Sequence, residues 1–179
     1  METIQEIKQR FFLFRNGIVS DSMRSKGAPY KVIFGLTLPQ IREVAAEVAA
    51  SAELAETLWA NAGTRESVLL APMVYPRDEM TPETALRWVA SAPSAEAVDI
   101  LCHSLLRRLD FATDLIGKLA GGESEIERYG AVRLAFNLLP GSKEIGRSVA
   151  EREVGRRSPM TYAVARQLLD EIAFLEEGL

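Results

Sequence analysis

The stretch Leu58-Trp59-Ala60-Asn61-Ala62-Gly63-Thr64-Arg65-Glu66-Ser67-Val68-Leu69-Leu70-Ala71 decides the architecture. It reads as the end of one helix, a tight turn, and a second helix that is largely apolar. Thr64 has the chemistry of an N-cap, and Pro76 stops the helix predicted over 65–75. Met80-Thr81-Pro82-Glu83 then opens another helix, predicted over 82–91 and running through Leu86-Arg87-Trp88-Val89. Pro82 suits the first helical position, where no backbone donor is needed. Links this short make neighbouring helices antiparallel. The unit is a helical hairpin.

Variants of that unit fill the chain in both directions. Thr3 and Glu6 form a capping box for a helix within 2–16, and 18–26 reads as a short helix. Thr37 or Leu38 precedes Pro39, with Ile41, Val44, Ala45 and Val48 at helical spacing behind it. Helices follow over 53–60, over 95–108 capped by Ser94, and over 111–120 with Asp110 as cap. Ser124 or Glu123 opens an apolar helix that Pro140-Gly141 ends near Leu139. Ser142 caps 143–154, and Ser158-Pro159 starts the last helix, to about Glu176. No segment alternates with period two. The reading is all-α: one domain over 1–179 of stacked antiparallel helix pairs. Pairs of roughly 35–40 residues match the period of HEAT-like or ARM-type solenoids. A compact non-repeat bundle is the alternative, because self-similarity between the pairs is weak.

Composition excludes several classes. With 47% apolar and 26% charged residues, the 179-residue chain can bury a core. No run is long and apolar enough for a membrane span, and the polar start Met1-Glu2-Thr3 is unlike a secretory leader. Cys102 is the only cysteine, so no internal disulfide forms, which fits a reducing cytoplasm. His103 is the only histidine. Cys102 and His103 alone cannot make a Cys/His zinc site. As i, i+1 neighbours on a helix they do not face each other for catalysis either. Both read as packing residues. No metal or organic cofactor is implied.

Charge is unevenly spread. The net charge is −4, but residues 1–31 carry +3, residues 32–100 carry −6, and residues 143–157 carry +2. A duplex binder usually shows a basic face. Here only the ends are locally basic.

Four ordered stretches resemble the AlkD-type DNA alkylation repair proteins, which are built from HEAT-like repeats. They are Phe34-Gly35-Leu36-Thr37-Leu38-Pro39-Gln40-Ile41-Arg42, the Leu58-Trp59 and Arg65-Glu66 segment, Ala95-Glu96-Ala97-Val98-Asp99, and Ile126-Glu127-Arg128-Tyr129-Gly130-Ala131. The resemblance covers most of the chain and rests on order and spacing, since each motif is loose. It implies binding of duplex DNA and release of N-alkylated purines. It places Asp99 at the family's aspartate, an electrostatic or water-orienting group for the cationic sugar that develops as the glycosidic bond breaks. It places Arg128 at one of two paired arginines, a phosphate contact. The chain departs from the family in two respects. Ala95 stands where the family has a tryptophan, and no tryptophan follows Tyr162-Ala163-Val164-Ala165-Arg166 in the last helix.

Other cations are candidates for the same surface. Arg107, Arg108, Lys143, Arg147, Arg152, Arg156 and Arg157 come from the second half, and equivalent helices of a solenoid line one face. Arg24, Lys26 and Lys31 would extend it at the other end. The opposing reading is a scattered, solvated set, with Arg128 and Arg133 paired to Glu125 or Glu127. Trp59 and Trp88 read as packing between helices. Two functions remain in play: a DNA-binding repair protein with Asp99 as its catalytic group, and a non-catalytic scaffold for a protein or a nucleic-acid structure. The sequence does not give the oligomeric state.

Overall fold

The computed structural model describes residues 2–178. The chain divides into two compact units, one ending at Met80 and the other beginning at Thr81.

The first unit holds α1 (Ile4–Leu13), α2 (Gly17–Ser25), α3 (Leu38–Glu47), α4 (Ala52–Ala60) and α5 (Arg65–Val74), then a 3-10 turn, Arg77–Glu79. Thr3 and Glu6 make the expected capping box at α1, and Thr37 with Gln40 makes another at α3. Backbone and side-chain hydrogen bonds from Thr3 hold the Glu6 carboxyl below the usual range. The decisive stretch behaves as read: α4 and α5 pack along each other, and nearly all of α5 is buried. Two details differ. Thr64 occupies the N-cap position without a side-chain cap bond, and Pro72 sits inside α5. A proline there removes one helical hydrogen bond. Dense burial holds the helix regardless.

Between α2 and α3 the chain runs extended. Val32 donates to Gly63 O at 2.8 Å and accepts from Arg65 N at 3.1 Å, forming an isolated parallel bridge with Thr64. The Glu66 carboxylate is fully buried and accepts the backbone N–H groups of Phe34 (3.0 Å), Gly35 (3.0 Å) and Leu36 (3.3 Å). Arg65 Nη1 donates to Glu66 at 3.0 Å and to Leu36 O at 3.0 Å. Gly35 has φ +84°, and a Cβ there would lie 2.4 Å from Asn16 O. Only glycine satisfies both constraints.

The second unit holds α6 (Pro82–Ala90), α7 (Ala95–Ser104), a 3-10 turn (Leu106–Arg108), α8 (Ala112–Ala120), α9 (Glu125–Asn137), α10 (Lys143–Arg156) and α11 (Tyr162–Glu177). Helix α9 is its axis: α6, α7, α8, α10 and α11 all pack on it. A helix surrounded in this way cannot have a single apolar face. Gly130 lets α6 approach, since a Cβ there would meet Val89 Cγ1 at 2.8 Å.

Three boundaries depart from expectation. The helix expected over 95–108 breaks at Leu105. Asp110 does not cap α8; Phe111 holds that position without a cap bond. Ser142 precedes α10 but turns its hydroxyl back to donate to Ala135 O at 2.5 Å, tying down the end of α9. Among the described residues there is no β-strand, and no helix is long and apolar enough to cross a membrane. The pairs α4–α5, α8–α9 and α10–α11 are joined by links of four or five residues, so their partners are antiparallel.

Candidate nucleic-acid interface

In the second unit, α7 and α9 each present two residues one turn apart. Ala95 and Asp99 share a face of α7, and Glu125, Tyr129 and Arg133 form a stripe along α9. Ala95 and the α9 stripe line a cleft of about 600 Å³, whose other wall is Pro159, Met160 and the first turns of α11. Glu125 Oε1 accepts Met160 N at 3.0 Å, which fixes that wall.

Asp99 stands beside this cleft and is held by both α9 neighbours. Tyr129 donates its hydroxyl to Asp99 Oδ1 at 2.7 Å, and Arg133 Nε lies 2.7 Å from the same oxygen. The Arg133 contact is an ion pair whose angle is too bent for a hydrogen bond, so Nε has no hydrogen-bond acceptor. Arg133 Nη2 also donates to the Tyr129 hydroxyl at 3.3 Å. Burial pushes the Tyr129 phenol up to about 12, and the Asp99 charge adds to the effect, while the Arg133 hydrogen bond opposes it. Tyr129 is therefore a neutral donor at physiological pH. Burial works against the Arg133 charge, but the Tyr129 hydrogen bond and the Asp99 carboxylate outweigh it and raise its pKa.

The structure distributes the other predicted residues differently. Arg128 Nη1 donates to Gly122 O at 3.3 Å and to Glu123 O at 2.7 Å, and its Nε lies 3.4 Å from Glu153 Oε1. Arg156 reaches the same Glu153 oxygen at 3.2 Å, and Thr161 donates to Glu153 Oε2 at 2.9 Å. Buried Glu153 thus ties α9, α10 and the start of α11 together. Arg147 pairs with Glu176 at 2.5 Å. Arg107 and Arg108 sit on the 3-10 turn after α7, Lys143 opens α10, and Arg157 follows α10 in the left-handed region. Arg108 and Arg157 are exposed.

Neither Arg128 nor Arg133 takes Glu125 or Glu127 as its partner. Glu127 closes the capping box of Ser124, and Glu125 holds Met160. The partner that sequence reading missed is Arg133 for Asp99. Its signal was two i, i+4 pairs, Ala95/Asp99 and Tyr129/Arg133, on helices that pack together. Cys102 is buried, and burial pushes its thiol pKa well up. His103 Nδ1 lies 3.3 Å from Asn137 Oδ1. Trp59 and Trp88 are buried. Among the described residues no group of His, Cys, Asp and Glu is arranged to hold a metal ion.

Paired helices around a central one, with an acid–arginine couple beside a cleft, define an all-α helical-repeat protein with one polar recess. The family described as DNA alkylation repair enzyme matches residues 9–143, well over half of the sequence, and the chain belongs to that family. A solved structure described as "a new family of proteins related to the HEAT-like repeat DNA glycosylases with affinity for branched DNA structures" is similar in fold, with a TM-score of 0.81. It shares 16% identity, over 98% of this chain and 80% of its own. The fold is thus HEAT-like. No curated protein matches the sequence. Asp99, Tyr129 and Arg133 lie within the family match, whereas α11 lies outside it.

Proposed function

We propose that this chain binds DNA, preferring branched or distorted structures over plain duplex, and that the cleft beside Asp99 and Arg133 is where the strand meets the second unit. The observation that carries this reading is the convergence of Ala95, Tyr129 and Arg133 on one cleft with Asp99 at its edge. A guanidinium held by one partly exposed carboxylate can exchange that partner for a phosphate, which it grips with two parallel donors. The likeness to a protein described as having affinity for branched DNA supports the same preference here.

Release of N-alkylated purines is the second reading, and Asp99 is the observation that favours it. Two features argue against efficient catalysis. Ala95 offers no ring to the lesion, and base–aromatic stacking is worth about 1–3 kcal/mol. Arg133 also neutralises Asp99 where an unpaired negative charge would stabilise a cationic sugar. The reading proposed is binding with little or no base release.

The test is a salt series with fluorescent linear duplex, a three-way junction, and duplex carrying 7-methylguanine, with free base assayed in the same tubes. Tightest binding to the junction, a steep fall with salt and no free base above the blank are expected. Free base that disappears with Asp99→Asn would establish the second reading instead. No binding to any of the three at low salt would leave the non-catalytic protein scaffold as the better account.

A further inference from the structure

We propose that the corner between α1 and α2 is an apolar wedge that enters an unstacked step of bound DNA while basic residues around it hold the adjacent phosphates. This rests on the reading that the chain binds DNA, and it names a second contact, in the first unit. Leu13 is 81% exposed, Ile18 85% and Phe12 52%, in a unit whose other apolar side chains mostly build its core. The helices explain why these three face out. Helix α1 buries Ile7 and Phe11, so Phe12 and Leu13 fall on the opposite side. Helix α2 buries only Ser20 and is held by its backbone instead. Asn16 N donates to Phe34 O at 2.8 Å, and Asn16 O presses against Gly35. The corner is therefore rigid while its apolar side chains contribute little to the fold.

Charge selects the occupant. Arg15 stacks its guanidinium 3.7 Å from the centre of the Phe12 ring. Arg24 donates to Lys31 O at 3.3 Å, which brings those two cations together beyond the far end of α2, with Lys26 capping it. From Ile7 to Lys31 the only acid is Asp21, whereas Lys8, Arg15, Arg24, Lys26 and Lys31 are basic, and Arg10 is already paired with Glu2 and Glu47. At 1.5 Å per residue α2 is about 13 Å long, a span of about four stacked base steps. A polyanion with exposed apolar faces fits this surface, and an unstacked base step is one. Phe, Leu and Ile are the side chains that wedge between bases. At a branch the stack is already interrupted, so the wedge gains contact without opening a duplex. Beside it lies an open groove of about 730 Å³ walled by Phe12, Leu13 and Phe34, with Gln5 and Gln9 able to meet a base edge.

The experiment compares the full chain with the double variant Leu13→Ala/Ile18→Ala, both substitutions being at exposed positions. The probes are a three-way junction carrying 2-aminopurine at the branch point and a linear duplex of the same composition. Loss of about 10-fold in junction affinity, unchanged duplex affinity and loss of the 2-aminopurine fluorescence rise are expected, by the size of one lost stacking contact. Arg15→Glu lowers the salt slope by about one or two contacts. If the double variant binds the junction as tightly as the parent, the wedge is wrong while DNA binding stands. If the parent chain self-associates and the double variant does not, the corner joins copies of the chain and the wedge is again wrong. If the parent binds neither probe, DNA binding itself fails and the wedge with it.

Discussion

Arg133 and Asp99 meet at 2.7 Å between α9 and α7, and Tyr129 donates to the same carboxylate oxygen. The side chains are 27% and 35% exposed, so the pair contributes at most about 1 kcal/mol to stability. An arginine held that lightly is available to a ligand. Arg133→Ala is expected to weaken DNA binding several-fold and to reduce the salt slope by about one. Asp99→Asn removes a negative charge facing the phosphate and is expected to tighten binding. Fluorescence anisotropy across salt concentrations measures both. Equal weakening by the two variants would mean that the pair acts as a folded unit and not as a phosphate contact.

Glu66 is a different kind of carboxylate. It is fully buried, accepts three backbone N–H groups and is paired with Arg65. Removing one partner of a buried pair costs about 3–5 kcal/mol. Glu66→Ala is expected to lose stability of that order in urea unfolding, with smaller loss for Glu66→Gln, which keeps the shape. Gly35→Ala is expected to lose at least about 1 kcal/mol from its positive φ alone. A Glu66→Ala protein as stable as the parent would refute the clamp.

These residues show what was legible in the sequence. Caps at Thr3, Thr37, Ser51, Thr81, Ser94 and Ser124 act through bonds three residues away, so a local motif predicts them. Of these, Ser51 was not named, although its helix was placed within one residue. The failures are non-local. Ser142 has a capping residue's chemistry, yet its hydroxyl goes to Ala135 on the preceding helix. Arg128 faces Glu153, and Arg133 faces Asp99, over sequence separations that a single chain does not reveal. The family resemblance found the helix bearing Asp99. It could not show that Glu66 and Gly35, among its strongest residues, hold a loop in place.

Gly130 and Val89 give a test of packing inside the second unit. A methyl at position 130 would lie 2.8 Å from Val89 Cγ1, closer than side chains pack. Gly130→Ala is therefore expected to destabilise the unit by about 1–3 kcal/mol despite alanine's better helix propensity. Val89→Ala removes the offending methyl groups, so the double variant should lose less than the sum of the singles. A double-mutant cycle measures this directly. Strict additivity would show that the contact does not limit how closely α6 approaches α9.

Tyr129 gives the pH dependence. Its pKa is pushed up to about 12, first by burial and then by Asp99, so the folded chain holds the proton more tightly than the unfolded chain, near 10. The stability it contributes is complete below about pH 10 and is lost as pH rises through about 12. In an absorbance titration of the four tyrosines, one phenolate should appear after the others, and Tyr129→Phe should delete it. Asp99→Asn takes away a charge that disfavours the phenolate, so that late step should move down. Arg133→Ala takes away a donor that favours it, so the step should move up. Opposite shifts from two variants of one ion pair separate electrostatic coupling from a general loosening of the cleft, which would move the step down in both.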